Sequence, residues 1–207
     1  MRQQKLVVTR AFLVLVLAAC ATVSKPYRNS VKKSGISTDV RVADCDGPAL
    51  SLPPELRSML EPRTGRMAPD DHWADIAERI PGGFAGILYD LNGKPTLMLT
   101  DPEQAPAVKK ALASDYSFRH FDLMGAQVLR ARWSFAQLVD WFNYLWLHSS
   151  IAKTKGMVMG DKNEETNRIY FGVETEAARQ QFTEQLRALG VPCDLVRIGI
   201  ASRPSPL

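Results

Sequence analysis

Phe84-Ala85-Gly86-Ile87-Leu88-Tyr89-Asp90-Leu91-Asn92-Gly93-Lys94-Pro95-Thr96-Leu97-Met98-Leu99-Thr100 has the pattern of a β-hairpin. Phe84–Asp90 is an apolar run of strand length. Asn92-Gly93 is the dipeptide of a tight hairpin turn, because both residues tolerate positive φ. Thr96–Thr100 returns as a strand with Leu97 and Leu99 on one face. Asp101 and Gln104 then form an N-terminal capping pair for a helix on which Ala105, Val108 and Leu112 recur. After a loop, Ala126–Arg132 reads as another strand.

The same order recurs further along. Gly156–Gly160 is a strand, Asp161–Asn167 a polar turn, and Arg168–Val173 the returning strand. Thr175 caps a helix striped by Ala178, Phe182, Leu186 and Leu189, and Gly190 sits where that helix ends. Val191-Pro192 turns the chain into a last strand, Asp194–Ile200. Between the repeats runs a long helix, Ser134–Ser149, with Ser134 and Gln137 as its capping box. Phe135, Leu138, Val139, Phe142, Leu145 and Trp146 form its core face, with Tyr144 and Leu147 opposite and Trp141 at the edge. A helix apolar nearly all round is either buried or docks a partner. Burial between the repeats is the reading adopted.

The expected fold is therefore α+β: two ββαβ-like units joined by a long amphipathic helix, with antiparallel sheets packed on helices. The first unit covers 84–133. The linking helix and second unit cover 134–200, and 201–207 is a tail. A helical segment, 51–83, precedes them. In it Pro53-Pro54 start a short helix through Leu60, and Trp73, Ile76, Ala77 and Ile80 stripe a second helix that Pro81-Gly82-Gly83 stops.

The first residues have a different character. Met1–Arg10 carries Arg2, Lys5 and Arg10 and no acid, and the nine residues Ala11–Ala19 carry no charge. Nine is far short of the roughly 20 that a membrane-spanning helix needs, but it suits the apolar core of a signal peptide. Leu17-Ala18-Ala19-Cys20 follows, and it resembles a lipobox, in which small residues admit a peptidase before a lipid-accepting cysteine. The alternative is a plain secretory signal with an incidental cysteine. On the lipobox reading, 1–19 is a signal peptide, Cys20 carries the lipid anchor (diacylglycerol and palmitate-type acyl chains), and 20–50 is a tether. Ala21–Pro48 has the polar, aperiodic composition of such a tether. By the same resemblance, Ala21 rather than an aspartate suits the outer membrane of a Gram-negative envelope, with the folded part facing the periplasm.

Of the 207 residues, 1–19 hold three of the 26 basic side chains and none of the 22 acids. The rest of the chain is nearly neutral, so the pI near 9.0 gives no support for nucleic-acid binding. Cys45 and Cys193 remain besides Cys20. In an oxidising compartment they are free to bridge, adding about 4–5 kcal/mol on a chain-entropy account. Two unpaired thiols, with Cys193 packed at a strand start, is the reading preferred.

No active site is legible. His72, His120 and His148 are scattered, and there is no nucleophile elbow, glycine-rich phosphate loop or paired-histidine metal motif. Asp161, Glu164 and Glu165 read as a solvated turn, not as an acid–base cluster. No cofactor, metal or small-molecule substrate is expected. Tyr116, Phe118, Arg119, His120 and Phe121 crowd the Ala113–Gly125 loop, either as a binding loop or, as preferred, a flap over the sheet.

From Trp73 to Ile200 the order of elements resembles the pro-region of bacterial chymotrypsin-like proteases of the α-lytic protease and streptogrisin type. The resemblance is carried by Phe84-Ala85-Gly86, the Asp90–Gly93 turn, Gln127-Val128-Leu129-Arg130-Ala131-Arg132-Trp133-Ser134-Phe135-Ala136-Gln137-Leu138, the 156–173 hairpin with Asn167, and Leu195-Val196-Arg197-Ile198. It implies a non-enzymatic folding catalyst or inhibitor that pairs a strand with a protease and lays its last residues across the active site. The matching pieces here are Asp194, Leu195, Val196, Arg197 and Ile198, with Pro204, Pro206 and Leu207 in an extended tail. Because no protease follows in this sequence, the expectation is a membrane-tethered binding module acting in trans, its partner an envelope or secreted serine protease. The alternative is a scaffolding outer-membrane lipoprotein that binds another envelope protein.

The anchor reading makes a direct prediction. Cys20→Ser removes the acceptor thiol, so metabolic labelling with a fatty acid should mark the parent and leave the variant unmarked. Equal labelling of both would refute it.

Overall fold

Asp90 builds the first turn. Its Oδ1 accepts the main-chain N–H groups of Asn92 and Lys94, both at 2.8 Å, and Gly93 takes a φ of 76°. In the computed structural model, which describes residues 49–63 and 69–203, this turn joins β1 (Phe84–Tyr89) antiparallel to β2 (Pro95–Leu99). α3 (Ala105–Ser114) follows, and β3 (Gln127–Arg130) pairs parallel with β2. The second repeat lays β4 (Met157–Asn163) antiparallel to β5 (Arg168–Val173), then α5 (Glu176–Ala188), then β6 (Val196–Ile200) parallel to β5. The sheets run β1-β2-β3 and β4-β5-β6.

The α+β class holds, but the sheets are mixed where antiparallel pairing was expected. In each repeat a helix carries the chain back to the end of the sheet where the preceding strand began. The third strand then runs alongside that strand in the same direction, as a crossover connection requires.

The repeats match in detail. Each first strand carries a register irregularity at its start, between Phe84 and Gly86 and between Met157 and Met159. The Gly83 and Gly156 carbonyls accept from Thr100 and Glu174 at 3.0 and 2.8 Å, and those of Leu99 and Val173 accept from Ala131 and Ala201 at 2.7 and 2.8 Å. A helix precedes each set of strands: α2 (Pro69–Arg79) in the first repeat and α4 (Phe135–Asn143) in the second. These two helices pack on each other.

α4 serves both cores, which explains its apolar circumference. Phe135, Ala136 and Val139 join Phe84, Leu97, Leu99, Val108, Leu112 and Phe118 in the first core. Leu138, Trp141, Tyr144 and Leu145 join Phe171, Val173, Phe182 and Ile198 in the second. The expected helix to Ser149 is α-helical only to Asn143 and continues as a π-turn, Tyr144–His148. Trp141 and Tyr144, expected at the edge and on the opposite face, are buried. Phe142 and Trp146 are only partly buried, stacked against Phe171 with ring separations of 6.2 and 6.4 Å.

Asn167 ties the repeats together. It ends the β4–β5 turn at a φ of 53°, a region that Asn tolerates better than most residues. Its buried Oδ1 accepts the N–H groups of Arg132 and Trp133, and its Nδ2 donates to the Trp133 carbonyl, all at 2.8 Å. The hairpin of the second repeat thus holds the junction between β3 and α4.

A strap, residues 49–63, lies on α4 and α2. Gln137 Nε2 donates to the Ala49 carbonyl and to Ser51 Oγ, and Trp141 Nε1 donates to the Leu50 carbonyl at 3.1 Å. Leu52 enters the second core. The helix expected through Leu60 is one turn, α1 (Pro54–Arg57). Ala49 and Leu50, expected in the tether, are already docked. Cys193 is disulfide-bonded, which corrects the expectation of a free thiol. Cys20, Cys45, Pro204, Pro206 and Leu207 lie outside the described residues.

The Asn167 clamp is testable with Asn167→Gly, which keeps the backbone conformation and deletes the side chain. Leaving buried main-chain groups unpaired costs about 1–3 kcal/mol each, so a loss of about 2–4 kcal/mol is expected from urea unfolding. A glycine variant as stable as the parent would show that the clamp contributes nothing.

Candidate functional site

Most of the strand expected to meet a partner is buried. Leu195, Val196 and Ile198 belong to the second core, and Val196 and Ile198 are 2% and 1% exposed over the whole residue, main chain included. Asp194 takes a φ of 59° and pairs with Arg168, so it is fixed in the turn before β6. Arg197 is half-buried and engaged. These placements argue against the docking role expected of Asp194–Ile198: their apolar side chains build the core, and of the outward-directed residues of β6 only Ile200, at 42%, is exposed.

Its counterpart in the first repeat is open. In β3, Gln127, Leu129 and Arg130 are exposed, Leu129 at 52%. The Ala131 N–H bonds to Leu99, so odd-numbered residues of β3 direct their main chain at β2 and even-numbered ones direct it outward. The outward N–H and C=O groups are therefore those of Val128 and Arg130, and no described main-chain group bonds to them. Leu129 pairs with Met98, which is buried and clusters with Ala85 and Ala131. An edge strand is usually defended by lysine, proline or a bulge. Gln127–Arg130 contains neither lysine nor proline. The sequence showed the strand. Its exposure depends on which neighbours flank it, and alternation alone does not reveal that.

A second feature, not anticipated from sequence, lies under the strap. A cavity of about 680 Å³ is lined by Arg57, Arg63, Asp75, Glu78, Asp140 and His148, among others. Asp140 is its hub: it accepts from Arg57 Nε at 3.2 Å and pairs with Arg63. Asp140 and Arg63 side chains are each 9% exposed. Burial lowers the Arg63 pKa, but the hydrogen bond and charge of Asp140, with Glu78 and Asp75, outweigh it and raise the pKa overall. The cations and carboxylates pair by charge, although the buried Arg63 Nη1 makes no hydrogen bond and lies only in ion-pair reach of Glu78 at 3.3 Å and Asp75 at 3.7 Å; the cluster reads as a staple for the strap. A lone acid in an apolar helix was the signal that could have found it, since a buried charge requires a partner.

The histidines form no relay. His72 Nε2 faces Ser117 Oγ at 2.8 Å and Asp115 Oδ1 at 3.4 Å, so acid and hydroxyl meet the same ring nitrogen. A triad places the acid on the other nitrogen. Burial pushes the Asp115 carboxyl up, but the main-chain N–H and hydroxyl of Ser117, with His72, outweigh it and hold it low. In the aromatic loop Phe118 is buried and Phe121 packs on the first core, so these rings cover the sheet, while Tyr116 stays exposed.

Glu164 departs from the solvated-turn expectation. It packs toward Gly86, whose added Cβ would lie 3.5 Å from Glu164 Cγ. Burial pushes its carboxyl pKa up, and the Asp161 and Asp70 charges add to the rise. No protein family and no curated protein matches the chain.

Because the folded-state pKa of Glu164 is raised, the folded protein binds its proton more tightly than the unfolded chain does. The stability that Glu164 contributes is therefore full below the unfolded value and falls as pH rises through the folded value. Glu164→Gln should exceed the parent in urea midpoint at about pH 7 and match it at about pH 3.5, below the ordinary glutamate range. A variant less stable than the parent at neutral pH would contradict this.

Proposed function

We propose that the chain is a membrane-tethered, non-enzymatic binding module of the cell envelope that recognises a polypeptide by strand addition at β3. The observation that carries this reading is the β3 edge itself: Gln127, Leu129 and Arg130 are exposed, and no described main-chain group bonds to the outward groups of Val128 and Arg130, whereas Val196 and Ile198 of β6 are buried. Strand addition draws affinity from main-chain bonds and specificity from the flanking side chains. The tether rests on the Cys20 reading. A general envelope partner is preferred to a protease, because Leu195, Val196 and Ile198, which the protease resemblance assigns to pairing, are buried in the second core.

A photo-crosslinking residue at Gln127, in cells, should give a discrete adduct that the same residue at Glu184 on exposed α5 does not. Arg130→Pro, which removes an outward N–H and spares the bonds to β2, should abolish the adduct. No adduct at Gln127, or the same adducts from both positions, would overturn the reading.

A further inference from the structure

We infer that the bond on Cys193 runs to Cys45 and acts as a redox lock on the strap, so that a dithiol reductant unseats Ala49–Leu52 from α4. This stands apart from the β3 reading and rests on different residues.

The chain has three cysteines, so the partner of Cys193 within the chain is Cys20 or Cys45. Both precede residue 49, so either bond fastens the N-terminal end of the strap to the turn before β6. Packing and chain length favour Cys45. Ala49 and Leu52 lie on the same core as Val191 and Leu195, which flank Cys193. Cys45 is four residues from Ala49, and Cys20 is 29. Four extended residues span about 13–14 Å, the scale of packing within one core. The cost of closing a loop rises as (3/2)RT ln n, so the shorter link closes about 20-fold more readily.

The two halves of the strap are held differently. Arg57 and Arg63 tie its C-terminal half to Asp140 by ion pairs. In its N-terminal half, no described main-chain group bonds Ala49–Leu52 to the domain. Gln137 and Trp141 reach three acceptors there, and Leu52 is its one deeply buried side chain, at 3% exposure. A seat made of so few contacts is drawn from the low-stability end of the fold. A covalent link at its N-terminal side restricts the opened state and so favours the seated one.

Cys193 is only half-buried, which leaves the bond open to attack. A dithiol reductant attacks one sulfur as a thiolate, forms a mixed disulfide and releases the other sulfur, which takes up a proton. The second thiol of the reductant then closes its own disulfide and releases the remaining cysteine as a thiol. Two electrons and two protons pass to the protein, and the reductant leaves oxidised.

The test uses the full oxidised chain. Proteolytic mapping by mass spectrometry without reduction should give a Cys45–Cys193 linked peptide. A Cys20–Cys193 peptide, or a free Cys193, would overturn the inference. The Trp141 indole N–H, which donates to the Leu50 carbonyl, then reports the seat. Dithiothreitol should speed its hydrogen exchange at least tenfold, while the Phe182 and Leu186 amides of α5, in the same core, keep their rates. Cys45→Ser should show the fast indole exchange without reductant. Indole exchange indifferent to dithiothreitol would mean that the strap stays seated without the bond. Equal acceleration of the α5 amides would mean that the bond supports the whole fold. Either result overturns the lock.

Discussion

Asn167 binds main-chain groups on both sides of the Arg132–Trp133 peptide, and the rest of the arrangement depends on that hold. This junction is where β3 ends and α4 begins. If it shifts, α4 no longer places Phe135 in the first core and Leu138 in the second, and the two sheets lose their common helix. Because the peptide is buried, water cannot replace the clamp, and unpaired main-chain groups there would carry their full desolvation cost. A hairpin turn in one repeat thereby fixes the chain direction leaving the other.

The two repeats share hydrogen-bond positions but differ in their surroundings, and function is argued from that difference. After β3 the chain is captured by Asn167 and enters α4, which leaves the β3 edge open. β6 sits over a fuller core, with Cys193 in a disulfide just before it and Arg168 fixing Asp194. The strap adds further asymmetry. It presses on α4 through Leu52 and is stapled by Arg57 and Arg63 to Asp140.

Much of this was legible in the residues. Asn92-Gly93, the Ser134–Gln137 box and Thr175 each set a local conformation by their own chemistry, and the structure has a turn or cap at each. The order of strands and helices followed from alternation and stripe. Parallel pairing of β3 and β6 was missed because periodicity shows a strand's faces and not its direction. Trp141 and Tyr144 are buried against expectation because the helix lies between two cores, and a single-face stripe assumes one. The repeat was read without its leading helices, since α2 and α4 share position but little sequence. Arg57, Arg63 and Asp140 are far apart in the chain, and only folding brings them together. Of the candidate site, the sequence showed that β3 is a strand; which of two equivalent edges stays open depended on tertiary neighbours.

The function argued here therefore rests on an edge that is structurally ordinary on one side and unmet on the other. Hydrogen exchange on the domain in dilute solution, resolved at single amides, tests that most directly. The Val128 and Arg130 amides should exchange rapidly while those of Leu129 and Ala131, bonded to β2, and of the buried Val196 and Ile198 remain protected. Val128 and Arg130 amides as slow as those of Val196 and Ile198 would mean that the β3 edge is already covered, and the proposed mode of recognition would be wrong.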